Sequence, residues 1–191
     1  MDNNNTQPVK IIENFVSADD CKYLIETYDQ KVIPSKVVSD TNSSAELHPS
    51  RTSSTFFIPD DDPVIVQLRK KASELVLKDE KNIEGIQFLK YKKGERFLFH
   101  HDFLKTVNLQ NQRVDTIIVY LNDLDETDGG ATAFFHYQMR VRPQKGRAVW
   151  FKNCDEKGNL INESLHAGEE ILTDTIKYAL NIWIRQCAVV S

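Results

Sequence analysis

The stretch "KYKKGERFLFHHDF", residues 90–103, sets two adjacent histidines and an aspartate inside a run of aromatics and leucine. Read as a strand, its side chains alternate between two faces, so positions two apart point the same way. His100 and Asp102 then share one face, and His101 points to the other. The stretch thus predicts a strand or strand end that delivers one imidazole and one carboxylate to a common point.

The same strand character continues on both sides. From Ile86 onward, β-branched and aromatic runs alternate with turns: "IQFLKYKK", "RFLFHHDF", "DTIIVYLND", "ATAFFHY", "QMRVRP", "GRAVWFKN", "SLHAG" and "KYALNIWIR". Short strands at this spacing, separated by Gly and Asn-Asp turns, indicate an antiparallel sandwich or barrel. Upstream, "VKIIENF" reads as a short strand, and "SADDCKYLIETYDQ" as a helix with Ser17 as N-cap and Asp20 near N3. A second helix opens at "DDDPVIVQLRKKASELVLKD", where Pro63 suits the first turn behind an acidic cap. Between the helices, the polar stretch 34–55 is long for a connection, and long ordered connections are often lids. The expected fold is mainly β with flanking helices (α+β), built on a double-stranded β-helix, or jelly-roll, core. No domain boundary is visible in residues 1–191: 1–8 are expected to fray, 9–85 to supply helical support and the lid loop, and 86–187 to form the jelly roll.

Composition narrows the function classes. With 40% hydrophobic and 27% charged residues over 191 positions, the chain is an ordinary globular one with room for a core. A net charge of −4 supplies no global field for nucleic acid or anionic lipid, so neither partner is expected. Cys21, Cys154 and Cys187 are odd in number, widely spaced and without a CxxC pair, which fits a reducing compartment better than a disulfide framework. The opening "MDNNNTQPVK" lacks a basic-then-apolar leader pattern, and no apolar run is long enough to span a bilayer, so a cytoplasmic location is expected.

A third ligand would turn His100 and Asp102 into a two-histidine, one-carboxylate facial set, which leaves open positions and is diagnostic of non-haem Fe(II) oxygenases. His166, in "NESLHAGEE", is the candidate, at the end of another predicted strand. Spacing alone leaves the alternative open that the histidine is a hydrogen-bonded structural residue. His48, in the polar stretch, and His136, behind two phenylalanines, are read as non-ligands.

From about Val9 to Arg185 the chain resembles the prolyl 4-hydroxylase family of Fe(II)- and 2-oxoglutarate-dependent dioxygenases. "YKKGERFLFHHDF" is similar to the family's Tyr-x-x-Gly-Gln-x-Tyr-x-x-His-x-Asp segment, and "RVDTIIVYLND" to its Arg-x-x-Thr…Tyr-Leu-Asn-Asp strand. "GGATAF", "PQKGRAVWFKN", "LHAG" and, upstream, "PSRTSSTFF" resemble further family segments in the family's order. The resemblance implies that His100, Asp102 and His166 hold Fe(II). It implies a chemistry in which O2 and 2-oxoglutarate yield succinate, CO2 and a hydroxylated C–H bond, on prolyl C4 of a peptide or protein if the family's preference holds. Ascorbate enters as the family's reductant.

The resemblance also assigns the remaining site. Lys177 would receive the distal carboxylate of 2-oxoglutarate, with the hydroxyls of Tyr91 and Thr116 beside it, while Arg113, Trp183 and Arg51 would line the peptide side. Two departures stand out. Lys177 lies eleven positions after His166, where the family has ten, so an extra residue must be absorbed in the turn around "LTDT" or in a bulge; Arg185 is the alternative cation. Phe97 stands where many relatives have tyrosine, and Glu95 where they have glutamine. Two other functions therefore stay open: an oxygenase of the same kind acting on another residue or a free amino acid, and a non-catalytic jelly-roll binding module.

Overall fold

The computed structural model describes residues 8–38, 45–104 and 111–189. In chain order it contains β1 (Val9–Ile12), α1 (Ala18–Tyr28), β2 (Ile33–Pro34), β3 (Val37–Val38), β4 (Ala45–Glu46), β5 (Ser54–Phe57), α2 (Pro63–Val76), β6 (Gln87–Tyr91) and β7 (Phe97–His100). There follow β8 (Arg113–Tyr120), β9 (Thr132–Phe134), β10 (Met139–Val141), β11 (Ala148–Lys152), β12 (His166–Gly168) and β13 (Lys177–Arg185). Each of the eight strands expected after Ile86 is present.

The strands form a seven-stranded antiparallel sheet in the order β1-β11-β8-β13-β6-β5-β2, faced by a four-stranded sheet β10-β9-β12-β7; β3 and β4 make a separate ribbon. This is the jelly roll, and its three central strands explain why the sequence there alternates so weakly. In β6, β8 and β13 every second side chain, including Phe88, Ile117, Val119, Leu180 and Ile182, packs outward against Leu24 and Tyr28 of α1 and Ile65 and Leu68 of α2. The intervening ones, including Leu89, Ile118, Tyr120 and Ala179, pack inward with Phe134, Val149 and Phe151. A sheet covered on both faces has apolar residues at both parities. Leu180 and Ile182 are fully buried, and such a side chain contributes roughly 1.5–3 kcal/mol.

The helices begin where their caps dictate. The Ser17 hydroxyl oxygen accepts from the Asp20 backbone N–H at 3.0 Å, while its proton goes to the Asp20 carboxylate at 2.7 Å, so the reciprocal bond to the cap's own backbone is not the one made. Asp62 caps α2 through the N–H groups of Val64 and Ile65 at 2.9 and 3.2 Å, with Pro63 in the first turn. The part before residue 86 is more than helical support: β1, β5 and β2 all join the large sheet. Their shortness and the polar run around them hid β2 and β5 from a reading by periodicity. The expectation of fraying falls outside the described residues save for Pro8, and residues 39–44 of the expected lid also lie outside them.

Candidate active site

His166 is the cross-strand partner of His100 where β12 meets β7, and this register brings two imidazoles together from strands that are 66 residues apart in sequence (166 − 100). Their ring centroids are 4.3 Å apart. β7 ends at His100, and a bend carries Asp102 under both rings: its Oδ1 is 3.6 Å from His100 Nε2 and its Oδ2 is 3.7 Å from His166 Nε2. His166 opens its strand rather than ending it. All three ligand atoms lie within 4.8 Å of one another, the one such convergence of His, Cys, Asp and Glu side chains among the described residues.

Each ligand is already oriented. His100 Nδ1 lies 2.7 Å from Leu98 O and His166 Nδ1 2.9 Å from Ser164 O. A carbonyl only accepts, so both Nδ1 atoms carry a proton and both Nε2 atoms face the common point. Burial, and then the neighbouring imidazole of His100, push His166 down to about 4, which keeps it neutral at pH 7. Burial pushes Asp102 up, but the two imidazoles and Arg113 outweigh it and hold the carboxylate well below its ordinary range. A neutral His166 and an ionised Asp102 are the charge states a divalent metal requires of these two ligands. Phe97 stacks on His100 with centroids 3.5 Å apart and planes 15° from parallel, and Arg51 lies 4.9 Å above the Phe97 ring.

The other end of the barrel interior holds Lys177, 3% exposed, in register with Tyr91 on β6. Its Nζ donates to Gly130 O at 2.6 Å and lies 5.1 and 5.6 Å from the rings of Tyr91 and Tyr120. The Tyr120 hydroxyl donates to Thr132 Oγ1 at 2.7 Å. Gly130 adopts φ +70°, and a Cβ there would strike Ile171 Cδ1 at 2.5 Å, so only glycine presents its carbonyl to Lys177 in this way. Burial pushes the ammonium down to about 8, and Glu169, its one charged neighbour among the described residues, is already bound by Arg140 in a two-bond pair of 2.7 and 2.5 Å. A buried cation lacking a carboxylate partner among the described residues fits an incoming carboxylate. The extra residue before Lys177 is absorbed in the irregular segment 169–176, after which β13 runs in unbroken register from Lys177 to Ile184.

A cavity of about 1020 Å³ opens from His100 and Asp102 toward the segment 31–57. Arg51, Arg113 and Trp183 line it together with Phe57, Phe97 and Phe99. Arg113 lies 3.8 Å over the Trp183 ring and makes a two-bond pair with Glu84, both bonds 2.7 Å. Arg185 also binds Glu84, at 2.5 Å, and its Nη1 donates to Asn111 O at 2.6 Å, so this alternative cation stands at the opposite end of β13 from Lys177. His101 turns away from the triad, its Nε2 3.2 Å from Asn162 O; His48 bonds Ser50, and His136 packs against Phe135.

Thr116 is the expected site residue that the structure moves. Its cross-strand partner is Trp183, six residues along β13 from Lys177, a separation of about 20 Å at 3.3 Å per residue. Its hydroxyl donates instead to Asp102 Oδ2 at 2.8 Å. Thr132, inside "GGATAF", reaches the lysine's surroundings through the Tyr120 hydroxyl, whose hydrogen bond it accepts, and neither its side chain nor the glycines before it were singled out from the sequence. Asn153 and Gly130 were missed as well. Strand register is the signal that could have found them: once β13 lies between β6 and β8, Lys177 faces Tyr91 and only Trp183 can face Thr116.

Residues 86–185 match the 2OG-Fe(II) oxygenase superfamily. Probable prolyl 4-hydroxylase 8 from Arabidopsis thaliana is 32% identical over 181 residues, covering 83% of this chain and 62% of that protein. Probable prolyl 4-hydroxylase 10 from the same plant is 28% identical, covering 92% of this chain and 68% of its own. The chain thus spans about two-thirds of the length of these relatives. Among solved structures, the viral collagen prolyl hydroxylase from Paramecium Bursaria Chlorella virus-1, as its 2OG complex, has a TM-score of 0.78 at 28% identity, covering 97% of this chain and 98% of that one. A Pseudomonas putida prolyl-4-hydroxylase, with a TM-score of 0.62 at 18% identity over 96% of this chain and 95% of that one, shares the fold.

Proposed function

The chain belongs to the 2OG-Fe(II) oxygenase superfamily, and on that premise we propose that it hydroxylates C4 of a prolyl residue in a peptide or protein, converting 2-oxoglutarate and O2 to succinate and CO2. The observation that carries this reading is the placement in the interior of one jelly roll of the His100–Asp102–His166 set, two of whose members line a large cavity, and of Lys177, which has no carboxylate partner among the described residues.

The triad would hold the iron, which when bound supplies the oxygen-activating chemistry. Lys177, with Tyr91 beside it, would receive the distal carboxylate of 2-oxoglutarate. Arg51, Arg113 and Trp183 would line the peptide side, where Phe57, Phe97 and Phe99 add an aromatic wall; aromatic-lined grooves suit proline-rich segments, whose extended helix is ordered before binding. The named relatives and the viral enzyme support a prolyl target. Ascorbate as reductant and a cytoplasmic site of action belong to the same proposal, the latter supported by Cys21, Cys154 and Cys187 all being free thiols.

Segment 34–55 is proposed as the lid. Lys36, Val37, Glu46 and His48 line the same cavity as His100 and Asp102, and peptide together with 2-oxoglutarate should slow proteolysis of this segment. Unchanged cleavage would remove the lid from the proposal. The test of the activity is mass spectrometry of proline-rich peptides incubated with the protein, Fe(II), ascorbate and 2-oxoglutarate, with His100→Ala and Lys177→Ala as controls. A gain of one oxygen on proline, absent in both variants, is the expected result. Consumption of 2-oxoglutarate with no peptide oxidised would overturn the prolyl assignment and redirect the search to other substrates.

A further inference from the structure

Asp102 is held by a chain of buried groups whose direction is fixed by the chemistry of its members. A carboxylate can only accept, so the 2.8 Å contact between Thr116 Oγ1 and Asp102 Oδ2 uses the single hydroxyl proton of Thr116. The 2.8 Å contact between the same Oγ1 and Asn153 must then be donated by the amide nitrogen, Asn153 Nδ2. Thr116 and Asn153 are fully buried and Asp102 is 6% exposed, so water does not compete for any of these bonds.

Asn153 is in turn fixed from the backbone. Its N–H donates to Val114 O at 2.9 Å, and its carbonyl accepts from Ile161 N–H at 3.0 Å, tying it to the strand that carries Thr116 and to the loop before β12. Its side-chain oxygen, Oδ1, is buried and makes no bond to any described residue. An amide flip would give that oxygen nothing and would set an acceptor against an oxygen whose proton is already committed. The orientation seen is therefore the one that serves Thr116.

We propose that Asn153 and Thr116 are positioning residues that lock the carboxylate plane of Asp102, committing Oδ2 to the protein and leaving Oδ1 for the metal. The inference rests on the metal reading of the triad. Without the relay the carboxylate could rotate or chelate through both oxygens, occupying a coordination position that the cosubstrate or O2 requires. Partners that orient a ligand in this way are typically worth 10–100-fold in metal affinity.

The test is anaerobic titration of the purified full chain with Co(II), read by its visible absorption bands, for wild type, Thr116→Val, Thr116→Ser and Asn153→Ala. Thr116→Val keeps the shape and removes the donor; it should weaken Co(II) binding by roughly 10–100-fold and alter the bands. Thr116→Ser should stay within about threefold of wild type, and Asn153→Ala should fall between the two. If Thr116→Val does not fold, the Asn153→Ala variant carries the test, since it leaves Thr116 in place. Co(II) affinity and bands unchanged in folded Thr116→Val or Asn153→Ala would overturn the relay. Wild-type protein that binds no Co(II) would overturn the metal centre itself and the relay with it.

Discussion

The two ends of the barrel interior are prepared in opposite ways. At the metal end every ligand already has a protein partner: Leu98 O for His100, Ser164 O for His166, and the Thr116 hydroxyl for Asp102. At the other end Lys177 has one backbone carbonyl and two aromatic rings, and no counter-charge among the described residues. The metal end is ordered before anything binds; the lysine end is strained electrostatically until a carboxylate arrives. Affinity for metal should therefore depend on how well the ligands are held, and affinity for cosubstrate on relief of a buried charge.

The contrast can be broken most forcefully at the metal end. His166→Ala should cost more metal affinity than the roughly 10–100-fold expected for losing an outer partner, as measured by Co(II) titration; an affinity close to wild type would show that the triad is not the site. Lys177→Met should next abolish detectable 2-oxoglutarate binding by calorimetry while making the ligand-free protein more stable. The ammonium moves from 10.5 to about 8 on burial, a penalty of roughly 3 kcal/mol at 1.36 kcal/mol per unit, against about 2 kcal/mol for the lost charge-assisted bond to Gly130 O. A net gain of roughly 1 kcal/mol would raise Tm by about 2–4 °C at pH 7. A lower Tm would mean that Lys177 is already compensated.

The pH dependence sharpens the same point. A lysine whose folded value lies below its unfolded one leaves the unfolded chain holding more protons between about pH 8 and 10.5. Ligand-free stability should thus rise across that window, with the full penalty present below it. Cosubstrate affinity should move the other way, falling above about pH 8 as the ammonium is lost, and flat affinity from pH 7 to 9.5 would contradict the assignment. The smallest effect separates the two threonines. Thr132→Val should weaken 2-oxoglutarate binding about fivefold, the worth of one hydrogen bond, and leave Co(II) affinity alone, whereas Thr116→Val should show its loss first in Co(II) affinity.

Much of this was legible in the sequence, because the signals were local. Alternation within "FHHDF" separated His100 and Asp102 from His101, and the runs after Ile86 marked each strand of the core. What stayed hidden depends on register between distant segments. Thr116 and Thr132 both sit in plausible motifs, and only the pairing of β13 with β6 on one side and β8 on the other decides which hydroxyl lies near Lys177. β2 and β5 escaped for a different reason: an edge strand of two residues and a four-residue neighbour inside a Ser/Thr-rich run carry too little periodicity to be read. Arg113 shows the limit from the other side: it is paired with Glu84 and also lines the cavity, a double placement that no local pattern marks.

The chain has two tryptophans, and they stand in unlike surroundings. Trp150 donates its indole N–H to Asp115 at 2.8 Å on the outer side of the sheet. Trp183 lines the cavity, with a guanidinium 3.8 Å from its ring and an indole N–H that has no acceptor among the described residues. Its emission is therefore an optical reporter already built into the cavity wall. In a Trp150→Phe background, all the tryptophan emission of the protein would come from that wall, and occupancy could be followed in real time without any label.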